Sequence, residues 1–164
     1  MTPEPILLVG SGGHSRACID VVEQEGPFVV KGTGGASQRS RLGSDEDFSK
    51  LLNDCANALI VFGQIKTPYQ RICFFDLLQQ NNCVLHTIVS SCAYVSSHAT
   101  LEAGTIVMHG AVVNAGSMVG KNCIISSQSL IEHDVIIKDH CHIATAATIN
   151  SAVGLGTGAF IKEF

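Results

Sequence analysis

From Val89 onward an aliphatic residue recurs at every sixth position: Val89, Val95, Leu101, Val107, Val113, Val119, Ile125, Ile131, Ile137, Ile143, Ile149, Leu155 and Ile161. Four places after each anchor stands a small or compact residue, from Ala93, Ala99 and Thr105 through Cys123, Ser129 and Cys141 to Ala159. One aliphatic and one small position per six residues is the signature of a hexapeptide β-helix. Each hexad supplies one short strand and a turn, and three hexads make a triangular coil. Residues 89–160 hold twelve complete hexads, hence four coils, stacked at about 4.8 Å. The anchors are predicted to form ladders through the prism interior, each worth roughly 1.5–3 kcal/mol on burial. Cys123 and Cys141, 18 residues apart, are predicted to lie one above the other as core residues.

The first 88 residues follow a different rhythm. PILLVG (5–10) reads as a strand, SGGHS as a glycine-rich turn, and the spacing of Ala17, Ile19, Val21 and Val22 as a helix. Val29 and Val30 suggest a strand, and Asp45 to Ala56 a helix through Phe48, Leu51, Leu52 and Cys55. ALIVFG (58–63) predicts a buried strand, Pro68 to Gln80 a helix, and CVLHTIV (83–89) a further strand. Strands alternating with helices imply a parallel sheet with its ligand crevice at the strand C-termini. The expected class is therefore α/β followed by a parallel β-helix, divided into residues 1–88 and 89–164.

Composition narrows the function. With 46% hydrophobic and 15% charged residues the chain can bury a core without disulfides. Its seven cysteines are odd in number and form no CxxC pair, which points to reduced, buried thiols rather than a disulfide or zinc framework. A net charge of −4 without a Lys/Arg cluster gives no footprint for nucleic acid or an anionic membrane. No stretch of about 18 apolar residues occurs, and MTPEPILLVGSGG lacks a basic flank and a cleavage site, so the expectation is a cytoplasmic protein.

Together, GSGGH near the N-terminus, the unbroken hexads, and IEHD followed nine residues later by HI resemble the bacterial sugar acyltransferases of the sialic acid and bacillosamine pathways, the NeuD/PglD type. The resemblance covers essentially the whole chain. It implies a Rossmann-like N-terminal domain, a left-handed β-helix that forms a homotrimer, and acetyl-CoA bound between neighbouring β-helices. The implied substrate is a nucleotide-activated amino sugar or sialic acid, N- or O-acetylated during surface-glycan biosynthesis.

Acetyl transfer from a thioester needs a base for the attacking amine or hydroxyl, and imidazole titrates near working pH. His133 falls at the third position of its hexad, expected to point outward near a turn, with Glu132 and Asp134 beside it. Matching the family motif, His133 is the base and Asp134 its orienter. His142 matches the family's second histidine, which contacts the acetyl group or thioester, and Asn114 is a further candidate for the same cleft or a turn-forming residue. Nine residues are half a coil, so His133 and His142 should lie on different sides of one prism and meet only across a subunit interface, which favours a threefold assembly. In the N-terminal turn the glycines allow backbone N–H groups to approach a phosphate, and the resemblance nominates Gly10, Gly12, Gly13 and His14 for the nucleotide sugar. Ser15 stands where a dinucleotide fingerprint has its third glycine, so NAD binding finds little support.

Two departures bear on this assignment. Thr33, Gly34 and Gly35 replace the acidic pair that usually holds the uridine, and the chain ends in KEF, three residues after Ile161, where relatives continue through further hexads. These leave open a catalytically impaired trimeric scaffold. A zinc carbonic anhydrase on the same fold would need a close His pair at five-residue spacing, which His98, His109, His133, His140 and His142 do not supply, so no metal is expected.

Overall fold

The computed structural model describes residues 4–25, 28–34, 56–64 and 66–162. The N-terminal part contains β1 (Glu4–Val9), α1 (Gly13–Gln24), β2 (Phe28–Gly34), β3 (Asn57–Ile60), α2 (Tyr69–Gln80) and β4 (Val84–Leu85). Its strands pair in parallel in the order β2-β1-β3-β4. β1 and β3 are central, and Ile6–Val9 and Asn57–Ile60 are buried on both faces, which is why they read as continuous rather than alternating runs. The helix expected over Asp45–Ala56 lies, apart from Ala56, outside the described residues.

Two expectations are corrected. The strand predicted over 58–63 is β3, ending at Ile60, after which 61–64 leave the sheet as a loop; Val61 N–H still donates to Val9 O at 2.9 Å. The strand predicted over 83–89 is two. β4 closes the N-terminal sheet, and β5 (Ile88–Val89) opens the β-helix. Side-chain bonds divert the chain between them: His86 Nε2 lies 2.8 Å from Asn57 Oδ1, and Thr87 Oγ1 donates to Glu102 O at 2.8 Å.

The β-helix has three parallel faces. The first carries β5, β8 (Ile106–Val107), β11 (Ile124–Ile125), β14 (His142–Ile143) and β17 (Phe160–Ile161). The second carries β6 (Tyr94–Val95), β9 (Val112–Val113), β12 (Leu130–Ile131) and β15 (Thr148–Ile149). The third carries β7 (Thr100–Leu101), β10 (Met118–Val119), β13 (Ile136–Ile137) and β16 (Gly154–Leu155). In every strand the second residue is the aliphatic anchor, and these anchors pack with Ala111, Cys123, Val135, Cys141 and Ala147 into one core. Where the small position is polar its hydroxyl is bonded: Thr105 Oγ1 donates to Gly120 O and Ser117 Oγ to Glu132 O, both at 2.7 Å. Cys123 lies over Cys141 in register, with both thiols free and buried.

The corners obey the same period. Gly104, Gly110, Gly116, Asn122, Gln128, Asp134, His140, Ala146, Ala152 and Gly158 all have positive φ, one at every sixth residue. Left-handed backbone favours Gly and tolerates Asn, Asp and His better than branched residues, which explains much of this row's composition.

The two halves share a core. The first residues of β5, β8 and β11, namely Ile88, Ile106 and Ile124, point out of the prism and are buried with Ile6, Leu8, Cys18, Val21, Val22 and Leu59. The N-terminal part thus covers the first face. No helix among the described residues is long and apolar enough to cross a membrane.

Candidate active site

The corner after β12 carries Glu132, His133 and Asp134 between the second and third faces. His133 Nδ1 lies 2.8 Å from Asp134 Oδ2, and the two side chains are 58% and 67% exposed. A carboxylate only accepts, so this contact calls for a proton on Nδ1. One coil earlier, Asn114 Nδ2 donates to Glu132 Oε2 at 3.2 Å. Gly116 underlies Asp134: its φ is +74°, and a Cβ there would overlap the Asp134 carboxylate.

A second cluster forms where the N-terminal part meets the first face. His142 continues the outward row of Ile88, Ile106 and Ile124, but meets the loop after β3 instead of an apolar core. Its Nδ1 lies 3.1 Å from Gln64 N and 3.0 Å from Gln64 O, and its Nε2 lies 3.2 Å from Ser126 Oγ. Its ring centroid is 5.8 Å from that of His14. The loop itself is pinned by Gln64 Nε2, which donates to Gly158 O at 2.6 Å.

The glycine turn sets His14 in place. Gly10 has φ +134°, and a Cβ on it would come within 2.9 Å of Phe62 N, so only glycine lets β1 end there. Ser15 Oγ donates to Gly10 O at 3.1 Å, closing the turn from the position of the absent third glycine. Gly12 and Gly13 have open space where a Cβ would stand, so the backbone at the start of α1 is accessible. His14 Nε2 lies 3.3 Å from Cys18 Sγ, one helical turn on.

Electrostatically the junction is organised by Arg71. On α2 the residues Arg71, Phe75 and Leu78 share the buried side, so a guanidinium occupies a core position. It donates to Phe62 O at 2.9 Å, Asn122 O at 2.5 Å and Asn122 Oδ1 at 2.6 Å. All three acceptors are carbonyl oxygens, and Nε is buried without a partner among the described residues. Burial lowers the Arg71 pKa to about 10, so it stays charged at neutral pH. Burial, then His142, then Arg71 lower the His14 pKa to about 4. Burial chiefly lowers that of His142, partly offset by the Gln64 backbone.

Both rings are therefore neutral at pH 7, with a consequence for stability. Unfolded His14 takes up a proton near its ordinary value of 6.5, whereas the folded one resists until about 4. In that window the unfolded chain binds more protons, so stability falls as pH drops, by about 2 kcal/mol at pH 5 from this group. His14→Gln is expected to flatten the loss of melting temperature between pH 7 and pH 5; an unchanged slope would show that His14 is not held neutral.

The candidates of the sequence thus fall into two groups. His133, Asp134 and Asn114 share the corner between the second and third faces. Gly10, Gly12, Gly13, His14 and His142 share the junction. Within one chain His133 stands at the corner between the second and third faces, whereas His142 opens β14 on the first. Sequence reasoning missed Gln64, Arg71, Asn122 and Cys18; the phase of Arg71 with Phe75 and Leu78 was a usable signal, and nothing marked Gln64. It also missed a Ser90–His109–Asp20 chain, with His109 Nδ1 2.6 Å from Ser90 Oγ and Nε2 3.0 Å from Asp20 Oδ2. Ser90 is 1% exposed and its Oγ also accepts the Cys92 N–H, so this chain fastens α1 to the first coil rather than meeting a substrate.

The third face bears a cavity of about 280 Å³ lined by Thr100, Met118, Ile136, Lys138 and Asp139 among others. Among the described residues no group of three His, Cys, Asp or Glu side chains is placed to hold a metal ion.

No family model matches this chain, and no curated protein matches it. Solved structures do. A mutant of perosamine N-acetyltransferase from Caulobacter crescentus, in complex with CoA and GDP-perosamine, matches with a TM-score of 0.87 at 23% identity, over 95% of this chain and 76% of its own. The acetyltransferase domain of PglB from Neisseria gonorrhoeae, in complex with acetyl coenzyme A, matches with a TM-score of 0.77 at 20% identity, over 96% and 82%. WeeI from Acinetobacter baumannii gives 0.58 at 17%, over 96% and 88%. The chain therefore has the fold of these proteins, a parallel sheet with helices leading into a parallel β-helix.

Proposed function

We propose that this chain is an acetyl-CoA-dependent sugar acetyltransferase of the NeuD/PglD type that acylates an amino group of a nucleotide-linked sugar. Residues 1–88 are the Rossmann-like nucleotide-sugar unit, and residues 89–164 the transferase unit, a left-handed β-helix. The observation that carries this reading is the exposed His133 whose Nδ1 is held by Asp134, on a fold shared with sugar N-acetyltransferases.

In this mechanism His133 Nε2 takes a proton from the attacking amine, and Asp134 holds Nδ1–H and favours the imidazolium that forms. His142 faces the acyl donor through Nε2, exchanging its contact with the Ser126 hydroxyl for one with the donor's carbonyl oxygen. Acetyl-CoA supplies the thioester; the exposed Met118 and Ile136, with Lys138 beside them, suit a long arm that is apolar along its length and phosphorylated at its end. Gly10, Gly12, Gly13 and His14 receive the nucleotide sugar.

A homotrimer fits the surface. Both faces beside the His133 corner expose apolar side chains: Tyr94 at 59% on the second, Met118 at 53% and Ile136 at 49% on the third. In the threefold assembly proposed here these rows face the neighbouring subunit, with the acetyl-CoA arm lying between the two.

Purified protein given acetyl-CoA and a panel of amino nucleotide sugars, hydroxylated analogues and sialic acids tests the reading through CoA release. Turnover confined to an amino nucleotide sugar is expected. Release only with sialic acid would overturn the substrate class, and none with any acceptor would favour a trimeric scaffold. Gly116→Ala provides a subtler check. The left-handed backbone costs alanine about 1 kcal/mol, and its methyl displaces Asp134, so activity should drop to that of Asp134→Asn with only a few degrees lost in thermal melting.

A further inference from the structure

We propose that Cys18 is a positioning residue that fixes His14 as its Nδ1–H tautomer, so that the ring presents a hydrogen-bond donor at the start of α1 to an acceptor oxygen of the bound substrate. The inference rests on the reading of His14 as a substrate contact.

The geometry begins with spacing. His14 and Cys18 are four residues apart on α1, hence on one face, and Cys18 Sγ lies 3.3 Å from His14 Nε2. Cys18 is fully buried in the core shared by the two halves, so its sulfur approaches the ring from the inside. Two proton arrangements satisfy the contact: the thiol donates S–H to a bare Nε2, or Nε2–H donates to sulfur. The thiol is weak both as donor and as acceptor, so the stronger partner decides: an unprotonated imidazole nitrogen accepts well, which favours the first.

The surroundings keep both groups in the required state. Burial pushes the Cys18 thiol up to about 12, so it holds its proton and is no nucleophile. His14 remains a neutral ring, with the His142 ring tilted 40° to it at 5.8 Å and the Arg71 charge in its field. With Nε2 occupied as an acceptor, the ring's single proton resides on Nδ1. That nitrogen is the one bonded nearer the main chain, in the first turn of α1, where Gly12 and Gly13 leave open space beside the backbone. The N-terminus of α1 then adds an imidazole N–H to the backbone N–H groups of its first turn. Such a set selects phosphate, carbonyl or hydroxyl oxygen over a protonated amine, and so keeps the amino group of the acceptor free for attack elsewhere.

Nitrogen NMR of protein labelled in its histidines reads the tautomer directly, without any variant. In the wild type His14 should show a protonated Nδ1 and a bare Nε2 at pH 7; a protonated Nε2 overturns the proposal. Cys18→Ala should release the ring to its ordinary preference for Nε2–H, and Cys18→Ser, whose hydroxyl also donates, should restore Nδ1–H. An unchanged tautomer in Cys18→Ala likewise overturns it. In acetyl transfer, Cys18→Ala should raise KM for the nucleotide sugar roughly 5- to 10-fold, about the worth of one hydrogen bond, with kcat moving far less and Cys18→Ser recovering most of the loss. A tautomer that switches while KM stays put refutes the donor role of His14, and with it the reading of His14 as a substrate ligand, while leaving the thiol's control of the ring established.

Discussion

Replacing His133 by alanine is expected to lower acetyl transfer by roughly 10² to 10⁴-fold, the usual worth of a general base, while leaving the fold intact. The side chain is 58% exposed at a corner, and its side-chain hydrogen bond is to the neighbouring Asp134, itself 67% exposed. Removing it leaves no cavity and no unpaired buried group, the two usual sources of large destabilisation. Melting temperature should therefore stay within a few degrees. Asp134→Asn, which keeps the imidazole but weakens its hold on Nδ1–H, should cost less than losing the ring. His142→Ala should raise the acetyl-CoA concentration needed for half-maximal rate, because its Nε2 faces the donor in this mechanism. Wild-type turnover by His133→Ala at saturating substrates, with chemistry limiting, would refute the mechanism.

The period of six made the β-helix legible, because every anchor from Val89 to Ile161 faces one interior and stacking repeats the same environment. The corner residues at positive φ keep the same period, from Gly104 to Gly158, yet their sequence is mixed, so that row does not announce itself. The His133 corner was legible for a related reason: His133, Asp134, Asn114 and Glu132 are adjacent in sequence or one coil apart, and a coil has fixed length. At the junction the glycines, His14 and His142 were legible, but the groups that hold them were not. Gln64 meets His142 across 78 residues, and Arg71 meets Asn122 across 51. Neither separation is set by a repeat. The outward apolar residues Ile88, Ile106 and Ile124 did carry a signal, an 18-residue spacing on one face, but Met118 and Ile136 on the third face remain exposed. Sequence alone does not say which outward row the N-terminal part will cover. The split of residues 83–89 into β4 and β5 escaped for the same cause, since two short runs of one composition join sheets that only the tertiary structure separates.

The largest effect on stability is expected from Ile131→Asp. Ile131 is fully buried in the second face, with Val113 on one side of it in the ladder and Ile149 on the other. The substitution forfeits roughly 1.5–3 kcal/mol of burial and leaves part of the site empty, with a further cavity cost. It also puts a carboxyl group among aliphatic neighbours; the nearby Ser117 and Ser129 hydroxyls already donate to Glu132 O and Ser126 O. An unpaired carboxylate there costs several kcal/mol more, or forces protonation. Against a typical total of about 5–15 kcal/mol, these losses are enough to unfold the coil. Ile131→Val, by contrast, should cost only about 0.5–1.5 kcal/mol and retain activity. Because Ile88, Ile106 and Ile124 share their core with Ile6, Leu8 and Cys18, the N-terminal sheet should not survive loss of the β-helix. Circular dichroism melting of the parent chain should then show one transition, and Ile131→Asp should lack it at any temperature; a variant that keeps the wild-type transition, or one that keeps a folded N-terminal half, would refute this account of how the two halves are joined.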